Sequence, residues 1–464
     1  MPAPANDAAE LKMRAAGVAE EAIAAFALQR DQLARGATGL MGDEQIEPVG
    51  ELPSLESLPT ADPGRALQRA VVIRLNGGLG TSMGLSGPKS LIEARDGLSF
   101  LDLIARQTLA LRRRHGVRLP LVLMDSFATG EASLRALERH PALAADVPAD
   151  FLQSMQPKLR AEDLQLVDWP ADPALEWCPP GHGDLYPALQ GSGMLDALLQ
   201  AGYEHAFVAN SDNLGAVLDP RILAWLAAER IPFLMEVSRR TEADRKGGHI
   251  ARRGDGRLVL RESAQVPDAD AASFADSKRW SWFNTNNLWI SLPALRDALA
   301  ERDGVLGLPL IVNRKTVDPS DPSTPEVIQL ETAMGAAIAT FEGARALCVP
   351  RTRFAPVKTS DDLLALRSDL YELGEDGVVR PAGGRREADP FVDLDPRFYK
   401  LLPGFEARFP AGPPSLKACE RFVVRGDVHF GARVTARGRV ELEAGDEEPL
   451  RIPDGAVIGD GGGG

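Results

Sequence analysis

A short apolar run that stops at a cluster of glycines constrains this chain more than any other feature of its sequence. Residues 71–75 (VVIRL) are typical of a buried strand, and five glycines follow within residues 77–87. Glycine permits positive φ and lets backbone N–H groups approach an anion closely. Lys89 follows the glycines and adds positive charge. The pattern predicts a phosphate-binding loop, although it matches neither the P-loop nor the dinucleotide motif.

Strand-like and helix-like segments alternate around this loop. Apolar runs at residues 120–124, 205–210 and 233–237 predict further buried strands, and amphipathic spacing predicts helices at 100–114 and 194–201. This alternation favours an α/β fold with a mostly parallel sheet and helices on both sides. It also disfavours the alternative that the glycine loop is a flexible linker. Ligands of such sheets bind beyond the carboxyl ends of the strands, so candidate site residues follow each strand.

Composition limits the classes of function. The 464 residues suit two or three domains, and a net charge of −14 argues against a general nucleic-acid binder. A local group of lysines and N–H groups can still hold an anionic small molecule. Cys178, Cys348 and Cys419 are scattered and show no disulfide or zinc spacing, which suits a reducing compartment. We find no signal-peptide pattern and no span-length apolar stretch, and therefore expect a cytoplasmic protein without a membrane or nucleic-acid partner.

Several motifs, in a fixed order, resemble the eukaryotic-type UTP–glucose-1-phosphate uridylyltransferases. They are residues 75–84 (LNGGLGTSMG), 87–90 (GPKS), 151–158 (FLQSMQPK), 179–184 (PPGHGD), 210–216 (NSDNLGA), 283–291 (FNTNNLWIS), 327–337 (VIQLETAMGAA) and 351–359 (RTRFAPVKT). The match is dense over residues 70–365 and looser over 415–455. The resemblance implies an α/β, Rossmann-like nucleotidyltransferase core with a mostly parallel mixed sheet, plus a C-terminal left-handed β-helix.

The same resemblance implies a reaction in which UTP and glucose 1-phosphate give UDP-glucose and pyrophosphate. A sugar phosphate oxygen attacks the α-phosphorus, and because it is already an anion it needs no general base. The barrier lies in repulsion between anions and in charge on the leaving group. The resemblance places Lys89 against the triphosphate, Lys358 between the sugar phosphate and the α-phosphate, and Asp212 as the ligand of Mg²⁺. The plain alternatives are solvated lysines and an Asx turn at Asp212.

The resemblance assigns the remaining site residues to two groups. The nucleotide group consists of Leu75, Asn76, Gly77, Gly78, Gln153 and Gly181. The sugar and phosphate group consists of His182, Asn210, Glu262, Asn286 and Glu331. Glu331 has an equal alternative as an acid that caps a helix. The chain departs from the family at Asp125 and Ala128, where relatives often have Asn.

Changes in hydrophobic periodicity and glycine content along the chain predict three segments. They are an N-terminal helical segment (1–60), a nucleotidyltransferase catalytic domain (61–375) and a C-terminal β-helix domain (376–464) with a disordered glycine tail (461–464). Short Val-rich pieces separated by glycines over residues 422–458 predict the β-solenoid. Longer relatives continue with further strand that in some mediates oligomers, so we expect a monomer or dimer here.

Two other functions stay open at this point. The same scaffold could act on another sugar 1-phosphate, such as galactose 1-phosphate or an N-acetylhexosamine 1-phosphate, since one hydroxyl contact can decide the specificity. Alternatively the chain could be a catalytically silent nucleotide-sugar binder. The joint presence of Lys89, His182, Asp212 and Lys358 argues against the silent binder.

Overall fold

The computed structural model describes residues 6–241, 244, 247–384, 389–445 and 448–460, so the predicted glycine tail at 461–464 lies outside the described residues. The helices are α1 Asn6–Ala15, α2 Glu20–Ala34, α3 Gly64–Gln68, α4 Phe100–His115, α5 Gly130–Leu137, α6 Leu185–Gly191, α7 Met194–Gln200, α8 Pro220–Ala228, α9 Ala271–Phe274, α10 Leu292–Ala300, α11 Ser360–Arg367, α12 Pro396–Tyr399 and α13 Leu402–Arg408.

The strands of the first half are β1 Ile46–Pro48, β2 Ala70–Leu75, β3 Glu93–Arg95, β4 Leu98–Ser99, β5 Leu121–Asp125, β6 Asp150–Leu152, β7 Gln156–Pro157, β8 Leu159–Arg160, β9 Trp177–Cys178, β10 His205–Asn210 and β11 Phe233–Arg239. The later strands are β12 His249–Arg253, β13 Leu258–Arg261, β14 Trp282–Ser291, β15 Ile311–Thr316, β16 Glu326–Glu331, β17 Arg345–Cys348, β18 Tyr371–Leu373, β19 Val379–Pro381, β20 Phe391–Leu394, β21 Ser415–Arg425, β22 Val428–Phe430, β23 Thr435–Glu443, β24 Leu450–Ile452 and β25 Val457–Gly459. The four buried strands predicted at 71–75, 120–124, 205–210 and 233–237 are confirmed as β2, β5, β10 and β11.

A ten-stranded mixed sheet forms the centre of the described part of the chain. Its order is β1-β12-β14-β10-β2-β5-β6, with β11 and β17 continuing beyond β14 and β13 beside β12. β10, β2, β5 and β6 are parallel neighbours, whereas β14 runs antiparallel to β10, β11 and β12. The strands β1, β13 and β14 run against the other seven. The predicted α/β fold with a mostly parallel mixed sheet is thus confirmed.

Side chains of the central strands alternate between two hydrophobic layers. In β2, Val72 lies in one layer, whereas Val71 and Ile73 lie in the other, and Phe207 and Val208 of β10 divide in the same way. Helices α4 and α8 contribute to the first layer, and α6, α7 and α10 to the second. Because the side-chain period of a strand is two, a sheet covered on both faces needs the near-continuous apolar runs seen in the sequence.

The N-terminal helices pack against the rest of the molecule. Met13 of α1 and Phe26 of α2 share a buried cluster with Ile328 and Leu330 of β16. β16 lies between β15 and β8 in a three-stranded sheet. None of the helices in the described residues combines the length and apolar character that a membrane span requires.

The C-terminal part is a coil of stacked parallel strands. β20, β21, β23 and β25 form one parallel sheet, and β22 and β24 form a second. The short C-terminal strands predicted from the sequence are thus present, and they pair in parallel. Its interior, including Phe422 and Val440, is continuous with a cluster that contains Leu101 and Leu103 of α4. The coil is therefore packed onto the same side of the sheet as α4.

Candidate active site

The carboxyl ends of four parallel strands meet at one edge of the central sheet. Leu75, the last residue of β2, pairs with Asn210 on one side and Met124 on the other. Asp125 in turn pairs with Leu152, the last residue of β6. The segments that begin at residues 76, 126, 153 and 211 therefore start side by side, as expected for a ligand site in such a sheet.

The glycine loop is closed by its own backbone. The Gly80 N–H donates to the Gly87 carbonyl over 3.1 Å, and the Lys89 N–H donates to the Gly78 carbonyl over 3.1 Å. Gly84 adopts φ +77°, a conformation that side chains disfavour. These bonds fold the loop back on itself and bring Lys89 next to its entrance at Gly78.

Two of the nucleotide candidates have different orientations. The Asn76 side chain is buried and donates to Asp125 Oδ1 (2.7 Å) and Ser133 Oγ (2.8 Å). Its backbone N–H donates to the Met124 carbonyl (2.7 Å), so none of these N–H groups is available to a ligand. The Gln153 amide, in contrast, covers the loop, because a Cβ added at Gly77 would lie 2.2 Å from Gln153 Oε1. The close approach of Gln153 thus requires glycine at position 77.

Lys89 and Asp212 form an ion pair at this edge. Lys89 Nζ lies 2.7 Å from Asp212 Oδ2, and the two side chains are only 16% and 18% exposed. The second carboxylate oxygen, Oδ1, is buried and has no hydrogen-bond partner. No group of three or more His, Cys, Asp or Glu in the described residues could hold a metal ion. A single carboxylate with an unpartnered oxygen could hold an exchangeable divalent cation.

Lys358 reaches the site from a distant part of the chain. The Val357 N–H donates to the Asp212 carbonyl over 3.2 Å, which places Lys358 beside the Asp212 segment. The Lys358 N–H donates to Asp362 Oδ2 (2.7 Å) at the start of α11. Its side chain is exposed and has no hydrogen bond or ion pair with any described residue. The backbone of Lys358 is thus fixed while its ammonium group is free to meet a ligand.

The sugar-side candidates Glu262 and Asn286 are linked through Asn284. Burial raises the pKa of Glu262, while the charge of Lys358 and a hydrogen bond from Asn284 oppose that rise. Asn284 Nδ2 also donates to Asn286 Oδ1 over 2.8 Å. Asn286 adopts φ +57°, which Asn tolerates better than most residues. These contacts place Glu262 and Asn286 on the Lys358 side of the site.

Gly181 and His182 lie against the end of β16. A Cβ added at Gly181 (φ +77°) would lie 2.7 Å from the Thr332 carbonyl oxygen and 3.0 Å from Glu331 Cβ. His182 Nδ1 accepts from the Met334 N–H over 2.9 Å, and burial lowers the pKa of His182 to about 4. The ring is therefore neutral at pH 7 and carries its proton on Nε2, which makes it a hydrogen-bond donor.

Glu331 ends β16, and the short helix that follows begins after Ala333, so Glu331 does not cap that helix. Burial raises the pKa of Glu331, and a side-chain hydrogen bond with Asn313 opposes the rise. Asn210 ends β10, where its carbonyl accepts from Arg74 Nη1 (3.2 Å). A Cβ at Gly335 would lie 3.3 Å from Asn284 Nδ2, so the Glu331 segment also contacts the sugar-side group.

Some residues that organise the site were not predicted from the sequence. Asp184 Oδ2 accepts from the Ser154 N–H over 2.5 Å and joins the His182 loop to the segment that carries Gln153. Burial raises the pKa of Asp184 to about 7. The sequence signal was slight, because Asp184 simply ends the PPGHGD motif.

A buried ion pair lies behind the site and was also missed. Glu236, fully buried in β11, accepts from Arg353 Nε (2.7 Å) and Nη2 (2.6 Å). It also accepts from Trp289 Nε1 (2.9 Å) and Asn287 Nδ2 (3.0 Å). A charged residue inside the apolar run FLMEV was the available signal, since a fully buried acid needs a partner.

This arrangement defines a class of enzyme. The sheet edge offers backbone N–H groups for phosphates, two lysines and a carboxylate with a free oxygen, and it offers no activated nucleophile of its own among the groups described above. Such a site suits a nucleotidyltransferase, in which one substrate attacks the phosphorus of another and the protein supplies position and charge.

Comparison with known proteins identifies the family. Residues 26–437 match the sequence profile of UTP–glucose-1-phosphate uridylyltransferase. The chain is 44% identical over 418 residues to UTP–glucose-1-phosphate uridylyltransferase of Solanum tuberosum, covering 90% of this chain and 85% of the relative. It is 40% identical over 393 residues to the Saccharomyces cerevisiae protein of that name, covering 84% and 77%. The chain belongs to the UTP–glucose-1-phosphate uridylyltransferase family, which confirms the resemblance stated from its motifs.

Solved structures agree with this assignment. A mutant of UDP-glucose pyrophosphorylase from Leishmania major, in complex with UDP-glucose, superposes with a TM-score of 0.93 at 46% sequence identity, covering 99% of each chain. UDP-glucose phosphorylase from Trypanosoma brucei gives a TM-score of 0.90 at 45% identity, covering 98% of each chain. The likeness extends over the whole described architecture rather than over the central sheet alone.

Proposed function

We propose that this chain transfers the uridylyl group of UTP to glucose 1-phosphate, giving UDP-glucose and pyrophosphate. One observation supports the proposal above all others. The Lys89–Asp212 ion pair lies at the end of the parallel strands, and the backbone bond from Val357 to Asp212 brings Lys358 to the same place. Two lysines and one carboxylate with a free oxygen are what a reaction between two phosphate anions requires.

Lys89 and Lys358 have separate tasks in this mechanism. Lys89 lies beside the glycine loop and offsets the charge that develops on the departing pyrophosphate. Lys358 contacts the attacking sugar phosphate and the α-phosphate, and so reduces the repulsion between them. The attacking oxygen is already ionised, so the protein need not remove a proton. Holding the two anions in line supplies the rest of the catalytic effect.

Asp212 is the residue that would hold Mg²⁺, through the buried Oδ1 that has no partner in the protein. When bound there, Mg²⁺ supplies further positive charge to the phosphate oxygens. The other oxygen, Oδ2, keeps Lys89 in position. Asp212 thereby orients a lysine and a metal site with one side chain.

The substrate contacts follow from the two sides of the site. On the nucleotide side we assign Gln153 and the Gly181 backbone to the uracil, and the backbones of Leu75, Asn76, Gly77 and Gly78 to the phosphates and ribose. On the sugar side we assign hydroxyl and phosphate contacts to His182, Asn210, Glu262, Asn286 and Glu331. His182 acts as a donor through Nε2, because its Nδ1 is already occupied by Met334.

We also propose four further properties of the protein, which concern its C-terminal handedness, domain division, location and oligomeric state. The C-terminal coil winds with a left hand, and the chain divides into domains near residues 60 and 375. The protein is cytoplasmic, and it is a monomer or dimer. Support comes from the parallel stacking of β21, β23 and β25 and from the family resemblance. An experimental structure tests the hand, and light scattering tests the oligomeric state.

A substrate panel tests the activity. The purified protein is incubated with UTP, Mg²⁺ and, in turn, the 1-phosphates of glucose, galactose and N-acetylglucosamine, and pyrophosphate release is measured. We expect the highest kcat/KM with glucose 1-phosphate and almost none with the Lys358→Ala variant. A preference for another sugar would revise the substrate. UTP binding without pyrophosphate release from any sugar would show a silent binder instead.

A further inference from the structure

We propose that Asn213 is a positioning residue that sets the separation between the Asp212 and Lys358 segments. Asn213 follows the predicted metal ligand directly, yet its side chain is turned into the protein and is only 2% exposed. It therefore acts through its neighbours rather than on a substrate. The inference rests on the proposed function for its catalytic consequence, and on the structure alone for its geometry.

The Asn213 amide uses all of its main hydrogen-bonding positions. Oδ1 accepts from the Gly215 N–H (3.2 Å) within its own loop and from the Ala355 N–H (3.0 Å) of the segment that leads to Lys358. Nδ2 donates to the Arg353 carbonyl (3.1 Å) and to Asn287 Oδ1 (3.3 Å) on β14. One side chain thus joins three parts of the chain that are remote in sequence.

The partners of Asn213 are themselves fixed. Asn287 Nδ2 donates to the Arg353 carbonyl (3.2 Å) and to Glu236 Oε2 (3.0 Å). Arg353 is held by the two short bonds to Glu236 described above, at 2.6 and 2.7 Å. A buried network in which the members have partners is rigid, because loosening any member leaves an unpaired polar group. The segment that ends at Lys358 is therefore anchored to β11 and β14.

Backbone contacts continue the same alignment up to the two catalytic residues. Asn213 and Pro356 form an antiparallel bridge, and the Val357 N–H donates to the Asp212 carbonyl over 3.2 Å. Gly215 is also in close contact, since an added Cβ would lie 2.3 Å from the Thr352 carbonyl oxygen. The Asp212 and Lys358 segments therefore run side by side, with the Asn213 side chain between them and the core.

This position makes the amide chemistry of Asn213 specific. Aspartate keeps the two acceptor contacts but cannot donate to Arg353 or Asn287, and leucine offers neither donor nor acceptor. Either change leaves buried polar groups without partners and lets the Lys358 segment shift. A displacement of about 1 Å at a catalytic group can cost about 10²-fold in rate.

Activity measurements with matched variants test the inference. We expect Asn213→Leu and Asn213→Asp to lower kcat for pyrophosphate release by about 10²-fold, while KM for UTP changes less than about threefold. Tyr399→Phe is the control for a lost buried hydrogen bond, because the Tyr399 hydroxyl donates to the Val428 carbonyl (2.6 Å) in the C-terminal part. That control should lower Tm while kcat stays near the parent value. A folded Asn213→Leu protein with kcat within threefold of the parent would overturn the inference.

A double-mutant cycle shows whether Asn213 acts through Lys358. In a Lys358→Ala background we expect Asn213→Asp to cost less than about threefold in the residual kcat, because the group being positioned is gone. An undiminished loss of about 10²-fold in that background would contradict a positioning role and indicate a general structural one. Asn213→Asp is the more conservative change and serves if the leucine variant does not fold.

Crystal structures separate this inference from the proposed function. In Asn213→Leu we expect the distance between the Cα atoms of Asp212 and Lys358 to change by about 1 Å relative to the parent. A parent protein that releases no pyrophosphate would contradict the proposed function and leave this structural expectation in force. An unchanged distance in the variant would contradict the positioning role, whatever reaction the protein catalyses.

Discussion

The two lysines of the site are held by different kinds of structure. Lys89 follows the closed glycine loop of the parallel sheet and is paired with Asp212 at 2.7 Å, with 16% of its side chain exposed. Lys358 comes from a segment far along the chain, and its exposed side chain makes no hydrogen bond or ion pair with a described residue. Lys89 is therefore a charge built into the sheet edge, whereas Lys358 is a charge carried on a separately anchored segment.

This difference separates stability from catalysis at the two positions. Removing one member of a largely buried ion pair leaves the other charge uncompensated, which destabilises the fold. Removing an exposed, unpaired lysine has little effect on folding. Changes at Lys89 should therefore affect both properties, whereas changes at Lys358 should affect activity alone.

The largest effect should come from Lys358→Ala. We expect kcat to fall by about 10³-fold or more, equivalent to about 4 kcal/mol, because the charge that we assign to the reacting phosphates is lost. The Tm should stay within about 1 °C of the parent, since the exposed Lys358 side chain makes no hydrogen bond or ion pair with a described residue. Pyrophosphate release and calorimetry provide the two measurements. Lys278→Ala, at another exposed lysine, is the control and should change neither.

Replacing Lys89 with Met should have a smaller effect on rate and a clear effect on stability. We expect kcat to fall by about 10²-fold, and urea unfolding to show a loss of about 1–3 kcal/mol from the uncompensated Asp212 carboxylate. The apparent affinity for Mg²⁺ should rise, because Asp212 then has both oxygens free. A Lys89→Met protein as stable as Lys358→Ala would erase the contrast between the two lysines.

Asp125 lies on the glycine-loop side of the site, where it accepts from Asn76, and the pH dependence of stability tests its burial. Burial raises the pKa of Asp125 to about 6 from an ordinary 3.8, so its contribution to stability is full below pH 3.8 and is lost as the pH rises through about 6. Asp125→Asn keeps the acceptor for Asn76 and removes that loss. We expect the variant to gain on the order of 2 kcal/mol relative to the parent at pH 7.5 and much less at pH 4.5. Urea unfolding at both pH values gives the difference, and a pH-independent gain would show that Asp125 does not titrate in this range.

The smallest expected effect is at Gln153, which covers Gly77. Gln153→Leu removes the amide that we assign to the uracil, and KM for UTP should rise by about tenfold, or about 1.4 kcal/mol, with kcat nearly unchanged. Gln200→Leu, at an exposed position at the end of α7, is the control. A large loss of kcat in Gln153→Leu would place this residue with the lysines instead of with nucleotide binding.

Much of the fold could be predicted from local patterns. The strands β2, β5, β10 and β11 are buried on both faces, so their apolar runs stood out, and the amphipathic helix α4 did so by its spacing. The antiparallel direction of β14 could not be predicted, because hydrophobic periodicity is the same in both directions. The repeated short strands of the C-terminal coil indicated a solenoid, and their parallel pairing appears only in three dimensions.

For the candidate site, too, the sequence predicted some features and not others. Lys89, Asp212 and Lys358 were found through motifs, but their contacts were not predicted. Asn76 was expected to bind the nucleotide, but its side chain donates to Asp125 and Ser133, and its backbone N–H donates to the Met124 carbonyl. The contacts of a side chain at the end of a strand depend on the elements that pack beside that strand. A local sequence pattern does not identify those elements.

Residues close together in the chain are enough to establish the glycine loop after a buried strand and the α/β alternation. The order of the motifs can be read along residues 75–359 without knowing the fold. Folding is needed to bring Lys89 to Asp212 and to leave Asp212 Oδ1 without a partner. Folding is also needed to join Asn213 to the segment that carries Lys358. Those contacts join residues separated by more than a hundred positions, and the packing of the sheet brings them together.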